Sequence, residues 1–161
     1  MNRPGRSRPV HARHFALVAV CAWLLPARAA AAPTCSFLVA STLAFGTYDP
    51  LATAPGDSST QLQYKCPPGQ PVRISIDAGQ SGTFSARELR SGAERLRYNV
   101  YLDAQRQTVW GDGSGGSAAG PLVVSVGAGG VTTAWMFGRI FAGQDVAVGA
   151  YADTLRITLD L

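Results

Sequence analysis

The stretch YADTLRITLDL, residues 151–161, decides the fold. Leu155, Ile157, Leu159 and Leu161 alternate with Arg156, Thr158 and Asp160, a period of two that gives a strand one apolar and one wet face. No further stretch follows in the sequence to cover its free edge, and an amphipathic strand with an open edge is a template for pairing with another chain. Either another strand of the same chain pairs with it and closes an ordinary sandwich, or Leu155, Ile157, Leu159 and Leu161 are the candidate surface for a partner strand.

Working outward, the rest of the chain reads as short strands broken by Gly, Pro and Asp turns. The runs are 35–40, 43–48 (ended by Asp49-Pro50), 60–66, 72–76, 96–102, 108–110, 122–126, 131–140 and 146–148. In the fifth of these Leu96, Tyr98, Val100 and Leu102 share one face, with Arg97, Asn99 and Tyr101 opposite. Residues 84–93 read with some helical character. The Gly- and Ser-rich run 111–120 reads as a mobile loop, and its Gly111, Asp112, Gly113 and Ser114 are the candidate surface-contact residues. About seven to nine short strands with almost no helical periodicity predict an all-β fold, an antiparallel β-sandwich.

The N-terminus has a different composition. Arg3, Arg6, Arg8 and Arg13 precede an eleven-residue apolar run, Phe15–Leu25, and then the small residues of 27–32. That order is the signature of a secretory leader, and the run is too short to span a bilayer, which takes about 20 residues. The expected organisation is a signal peptide over 1–32, cleaved within 29–32, and one β-sandwich domain over 33–161, with no membrane anchor after cleavage. The whole chain has 14 basic and 10 acidic residues, a formal charge of +4. Five of the basic residues, but no acidic one, belong to the leader, which leaves nine against ten, or −1. Nucleic acid is not an expected partner, since such binding needs clustered positive charge on the folded domain.

Cys21 leaves with the leader, so Cys35 and Cys66 remain as an even pair in a chain bound for an oxidising compartment, and a disulfide between them is expected. Both histidines, His11 and His14, are also in the leader. Without histidine the mature chain lacks the Ser-His-Asp and Cys-His arrangements and the usual imidazole metal sites. No catalytic residue, metal or cofactor is expected. A carboxylate pair among Asp77, Glu88, Asp103, Asp112, Asp145 and Asp153 stays formally open as a hydrolase site. Arg87, Arg90, Arg95 and Arg97 form a basic cluster interleaved with Glu88 and Glu94, and read as a solvated surface of mixed charge.

Cys35, LAFGTYDP (43–50), Cys66, ISIDAGQSG (74–82), Arg87 with Leu89, LRYNVYLD (96–103), VWGDG (109–113) and GRIFAGQDVAVGAYADTLRITL (138–159) resemble, in this order, the spore coat protein U family. The resemblance implies an incomplete immunoglobulin-like β-sandwich lacking its last strand. It also implies a secreted subunit of an archaic chaperone-usher pilus or related coat, exported through the periplasm to the cell surface. The implied partners are an outer-membrane usher and, each meeting the open edge by β-strand addition, a periplasmic chaperone and then a neighbouring pilus or coat subunit. A subunit that also donates a strand needs about ten residues ahead of its first core strand, at most ~3.4 Å each. Only a few separate the expected cleavage from Cys35. Strand acceptance is therefore expected and donation is not, which suits a terminal position such as a fibre tip, or a non-fibrous coat. The rival reading is an adhesin module that touches a surface through the 111–120 loop.

Overall fold

A computed structural model of the chain describes residues 34–39, 42–114, 119–125 and 130–161. The expected leader and its cleavage, Cys21, and parts of the 111–120 loop lie outside the described residues. Among those described, ten strands follow in order: β1 (Ser36–Val39), β2 (Gly56–Cys66), β3 (Pro71–Ile76), β4 (Arg87–Ser91), β5 (Glu94–Tyr101), β6 (Val109–Trp110), β7 (Ala119–Gly120), β8 (Leu122–Ser125), β9 (Gly130–Ile140) and β10 (Ile157–Asp160). The described helical structure is a single 3₁₀ turn at Gly79–Ser81.

The strands form two sheets. The larger runs β1-β2-β9-β5-β6-β7, with β4 on the same edge of β5 as β6; the smaller is β10-β3-β8. All pairings are antiparallel except the short β6–β7 pair. The longest ladder joins β2 to β9 in unbroken register from Gly56↔Ile140 to Cys66↔Gly130. Along it Leu62, Tyr64 and Cys66 of β2 and Ala134, Met136 and Ile140 of β9 are buried in the core, while Gln61, Lys65, Thr133 and Trp135 face outward, the alternation a half-buried sheet requires. Val72, Ile74 and Ile76 of β3 fill the opposite side of the core. Buried Trp110 donates its indole N–H to the Ile74 carbonyl at 2.8 Å, which ties the two sheets together. The Cys35–Cys66 disulfide fastens the start of β1 to the end of β2.

Residues 43–48 and 146–148, read as strands, form none, and three further sequence expectations change. Residues 84–93 are not helical: 87–91 form β4, hairpinned onto β5 from Arg87↔Tyr98 to Ser91↔Glu94. Gly92, at φ +58, opens the two-residue turn, a position where tight hairpins need a positive φ. Secondly, the face of β5 opposite Leu96, Tyr98 and Val100 is not all wet, because Asn99 and Tyr101 are buried as well. Finally, the final run is a ladder only over Ile157–Asp160, paired with β3 from Ile157↔Ile76 to Asp160↔Arg73. The ladder ends where β3 leaves for the 3₁₀ turn. There the Asp77 backbone N–H donates to the Arg156 carbonyl, and the Asp77 carboxylate accepts from the Arg156 N–H, each at 3.0 Å. Further back, Ala152 makes an isolated bridge to Arg90 of β4.

Candidate functional site

A groove of about 790 Å³ opens between two segments of the sandwich, 42–50 and 146–157. Residues 43–48 read as a strand, and over 42–46 they keep a strand's alternation, with Leu43 and Phe45 half-buried against the core and Thr42, Ala44 and Gly46 exposed. Yet among the described residues no backbone-to-backbone hydrogen bond joins 42–48 to a neighbour. Side chains hold the segment instead. The Ser58 hydroxyl donates to the Ala44 carbonyl at 2.5 Å, and Phe45 packs edge-on to Tyr98 with ring centroids 5.8 Å apart. Leu43 and Phe45 sit over Gly138 of β9, where a Cβ would collide with both side chains. Gly138→Val is therefore expected to lift this wall and cost about 1–3 kcal/mol, read as a lowered urea midpoint with unchanged slope.

One end of the groove is closed by a polar clasp. The Tyr48 phenol oxygen accepts from the Gln144 backbone N–H at 2.7 Å. The buried Gln144 side chain accepts from the Arg97 N–H at 2.7 Å and donates to the carbonyls of Arg97 (2.9 Å) and Phe141 (2.8 Å).

The second wall carries the apolar row of the final run. Leu155 and Ile157 line the groove. Leu159 packs on the core beyond it, and Leu161 is 53% exposed outside the lining. Thus the structure brings two of the four sequence candidates together in the groove and sets the other two past its end. Sequence reasoning missed the opposite wall as part of the site, although the apolar and aromatic run with Leu43, Phe45 and Tyr48 was its signal. Asp153, named in the sequence only as a possible hydrolase carboxylate, also belongs to this wall, in phase with Leu155 and Ile157. Asp153 accepts hydrogen bonds from the Tyr98 hydroxyl (2.8 Å), the Gln80 N–H (3.1 Å) and the Thr154 N–H (2.8 Å). Burial, and then the bond to Asp153, push the Tyr98 pKa far above its usual value, so the phenol stays a donor. Gly79, at φ +62, lets the turn close over this carboxylate, where a Cβ would strike Asp153 and Leu155.

The candidate contact loop is partly tied down. Gly111 is buried, donates its N–H to Gly120 O at 2.9 Å and accepts from Ile76 N–H at 3.3 Å. Asp112 accepts from the Ser114 N–H and hydroxyl and lends its carbonyl to Arg73. Exposure begins at Gly113 and Ser114.

The basic cluster divides. Arg90 and Arg95 pair with Glu88 at the surface, whereas Arg87 is fully buried. Its guanidinium donates to the Asp77 carbonyl from Nε (3.0 Å) and Nη2 (2.7 Å), to Trp110 O (2.7 Å) and to Asn99 Oδ1 (2.6 Å). Burial lowers its pKa from the ordinary guanidinium value. Asp77, Asp103, Asp112 and Asp153 each accept backbone N–H groups, the turn-making use of short carboxylates. Among the described residues no three His, Cys, Asp or Glu side chains converge as a metal site would require.

Residues 22–158 match the Spore Coat Protein U domain. No curated protein matches the sequence significantly. Among solved structures, the chain is similar to one chain of the CsuC–CsuE chaperone–tip adhesion subunit pre-assembly complex, from the archaic chaperone-usher Csu pili of Acinetobacter baumannii. The TM-score is 0.57 at 18% identity, over 80% of this chain and only 40% of that one. It is also similar to the P pilus rod subunit PapA, with a TM-score of 0.52 at 17% identity, over 78% of this chain and 97% of that one. At these identities the likeness is one of fold: an immunoglobulin-like β-sandwich lacking its last strand, open where segments 42–48 and 146–157 face each other across the groove. With the family match spanning nearly all of that sandwich, the chain belongs to the Spore Coat Protein U domain family.

Proposed function

We propose that this chain is an exported structural subunit of a chaperone-usher pilus or coat, and that it accepts a partner's strand into the groove between 42–48 and 146–157. The observation that carries this reading is the pair of groove walls: both turn apolar side chains inward, and the backbone of 42–48 has no strand partner among the described residues. An extended segment laid between them would gain backbone hydrogen bonds from both sides and bury every second side chain, each large aliphatic one contributing about 1.5–3 kcal/mol. A periplasmic chaperone would supply that segment during export, an outer-membrane usher would receive the complex, and a neighbouring subunit would take the chaperone's place at the cell surface. The family and the pilus subunits that share the fold support this order of partners. A terminal position in the fibre is part of the proposal, resting on the short segment expected between leader cleavage and Cys35.

Expressing the exported protein with and without a periplasmic chaperone tests the reading. A poorly soluble chain alone, rescued by the chaperone or by an added strand peptide that raises its Tm, is the expected result. A stable monomer indifferent to both would sink it. Leu155→Asp is expected to weaken peptide capture about tenfold or more, since it exchanges an apolar groove side chain for a charge.

A further inference from the structure

The inward row of the second wall runs Tyr151, Asp153, Leu155, Ile157, and Asp153 is the one charged residue among the described residues lining the groove. Its carboxylate accepts three hydrogen bonds, from Tyr98, Gln80 and Thr154. No basic side chain lies within ion-pair distance of it among the described residues. The nearby Arg87 feels its charge, but spends its own donors on the carbonyls of Asp77 and Trp110 and on Asn99. While the groove is open, water reaches the partly exposed Asp153. A strand laid across the groove would displace that water, and a desolvated carboxylate is costly unless further donors meet it.

We propose that the strand this groove accepts is not uniformly apolar on its inward side: at the position facing Asp153 it carries a hydrogen-bond-donating side chain, and this contact sets the register of insertion. The inference rests on the strand-acceptor reading above. Charge complementarity carries it, because the other groove-lining side chains are apolar or neutral and Asp153 alone marks one site along the walls. Two-residue slips keep an alternating strand's apolar face inward and would otherwise be nearly degenerate. A donor opposite Asp153 breaks that degeneracy.

The test uses the full exported protein and synthetic peptides of about twelve residues, the length of the 146–157 wall at ~3.3 Å per residue. The parent peptide has valine at every inward position and lysine or serine outward. In the series a single threonine, nearly the shape of valine, steps through the inward positions. One position is expected to bind about tenfold or more tighter than the parent, as a hydrogen bond to a charged acceptor supports, while threonine two residues away binds no better than valine. In Asp153→Ala the preference should vanish. Should that variant fail to fold, the threonine–valine comparison on the unaltered protein decides alone. Binding of every peptide with equal affinity, or a preference that survives Asp153→Ala, overturns the register contact and leaves the open groove standing. Binding of none overturns both.

Discussion

Arg87→Met is expected to destabilise the subunit by about 3–5 kcal/mol, read as a fall in the urea midpoint at constant slope. The guanidinium bonds the end of β3 through Asp77 O, β5 through Asn99 Oδ1 and β6 through Trp110 O, and lies 5.2 Å from the Phe84 ring centre. Methionine fills much of the volume and supplies no donor. It would take this donor from the Asp77 and Trp110 carbonyls, each costing about 1–3 kcal/mol, and leave Asn99 Oδ1 with the Val100 N–H alone. Lysine would fare little better, since an ammonium lacks the planar fork that reaches three acceptors at once. A loss below about 1 kcal/mol, the ordinary effect of a surface change, would refute the bracing role.

Removing the disulfide is the second large effect. Cys35→Ser/Cys66→Ser opens a loop with a sequence separation of 31, and the chain-entropy relation assigns about 3–4 kcal/mol to such a closure. Both calorimetry and urea titration of the double variant should show the loss, and reducing agent should have no further effect on it. A midpoint within error of the parent's would mean that β1 is held by its ladder alone. Because β1 is a four-residue edge strand with an irregularity between Phe37 and Val39, its pairing is a weak anchor without the bond.

These two residue sets were unequally legible in the sequence. Cysteine arithmetic pointed to the disulfide because compartment and parity leave few choices. Arg87 gave no such signal. It lies among arginines that do sit at the surface, and its partners are backbone carbonyls, which carry no residue identity to read. Strand periodicity found β2, β3, β5 and β9, where alternation and ladder coincide. It went astray at 84–93, where charged residues on a hairpin imitate a helix surface and the turn glycine is the only local clue. For 43–48 the apolar run did mark a half-buried segment and the expected ladder is absent, since apolar side chains report burial and not whether the backbone has a partner. The groove was half legible for the same reason: Leu155 and Ile157 were read as its face, whereas the wall across from them shows only when the chain is folded.

The closed loop between Cys35 and Cys66 contains the first groove wall, 42–50. Tension pulling on the chain ahead of Cys35 would pass through the sulfur bridge straight into β2 and its eleven-residue ladder with β9. The bypassed segment could otherwise pay out about 100 Å of extended chain, and it would carry none of that load. Stretched between handles attached at its two ends, the protein would thus keep this wall in shape while the force runs past it.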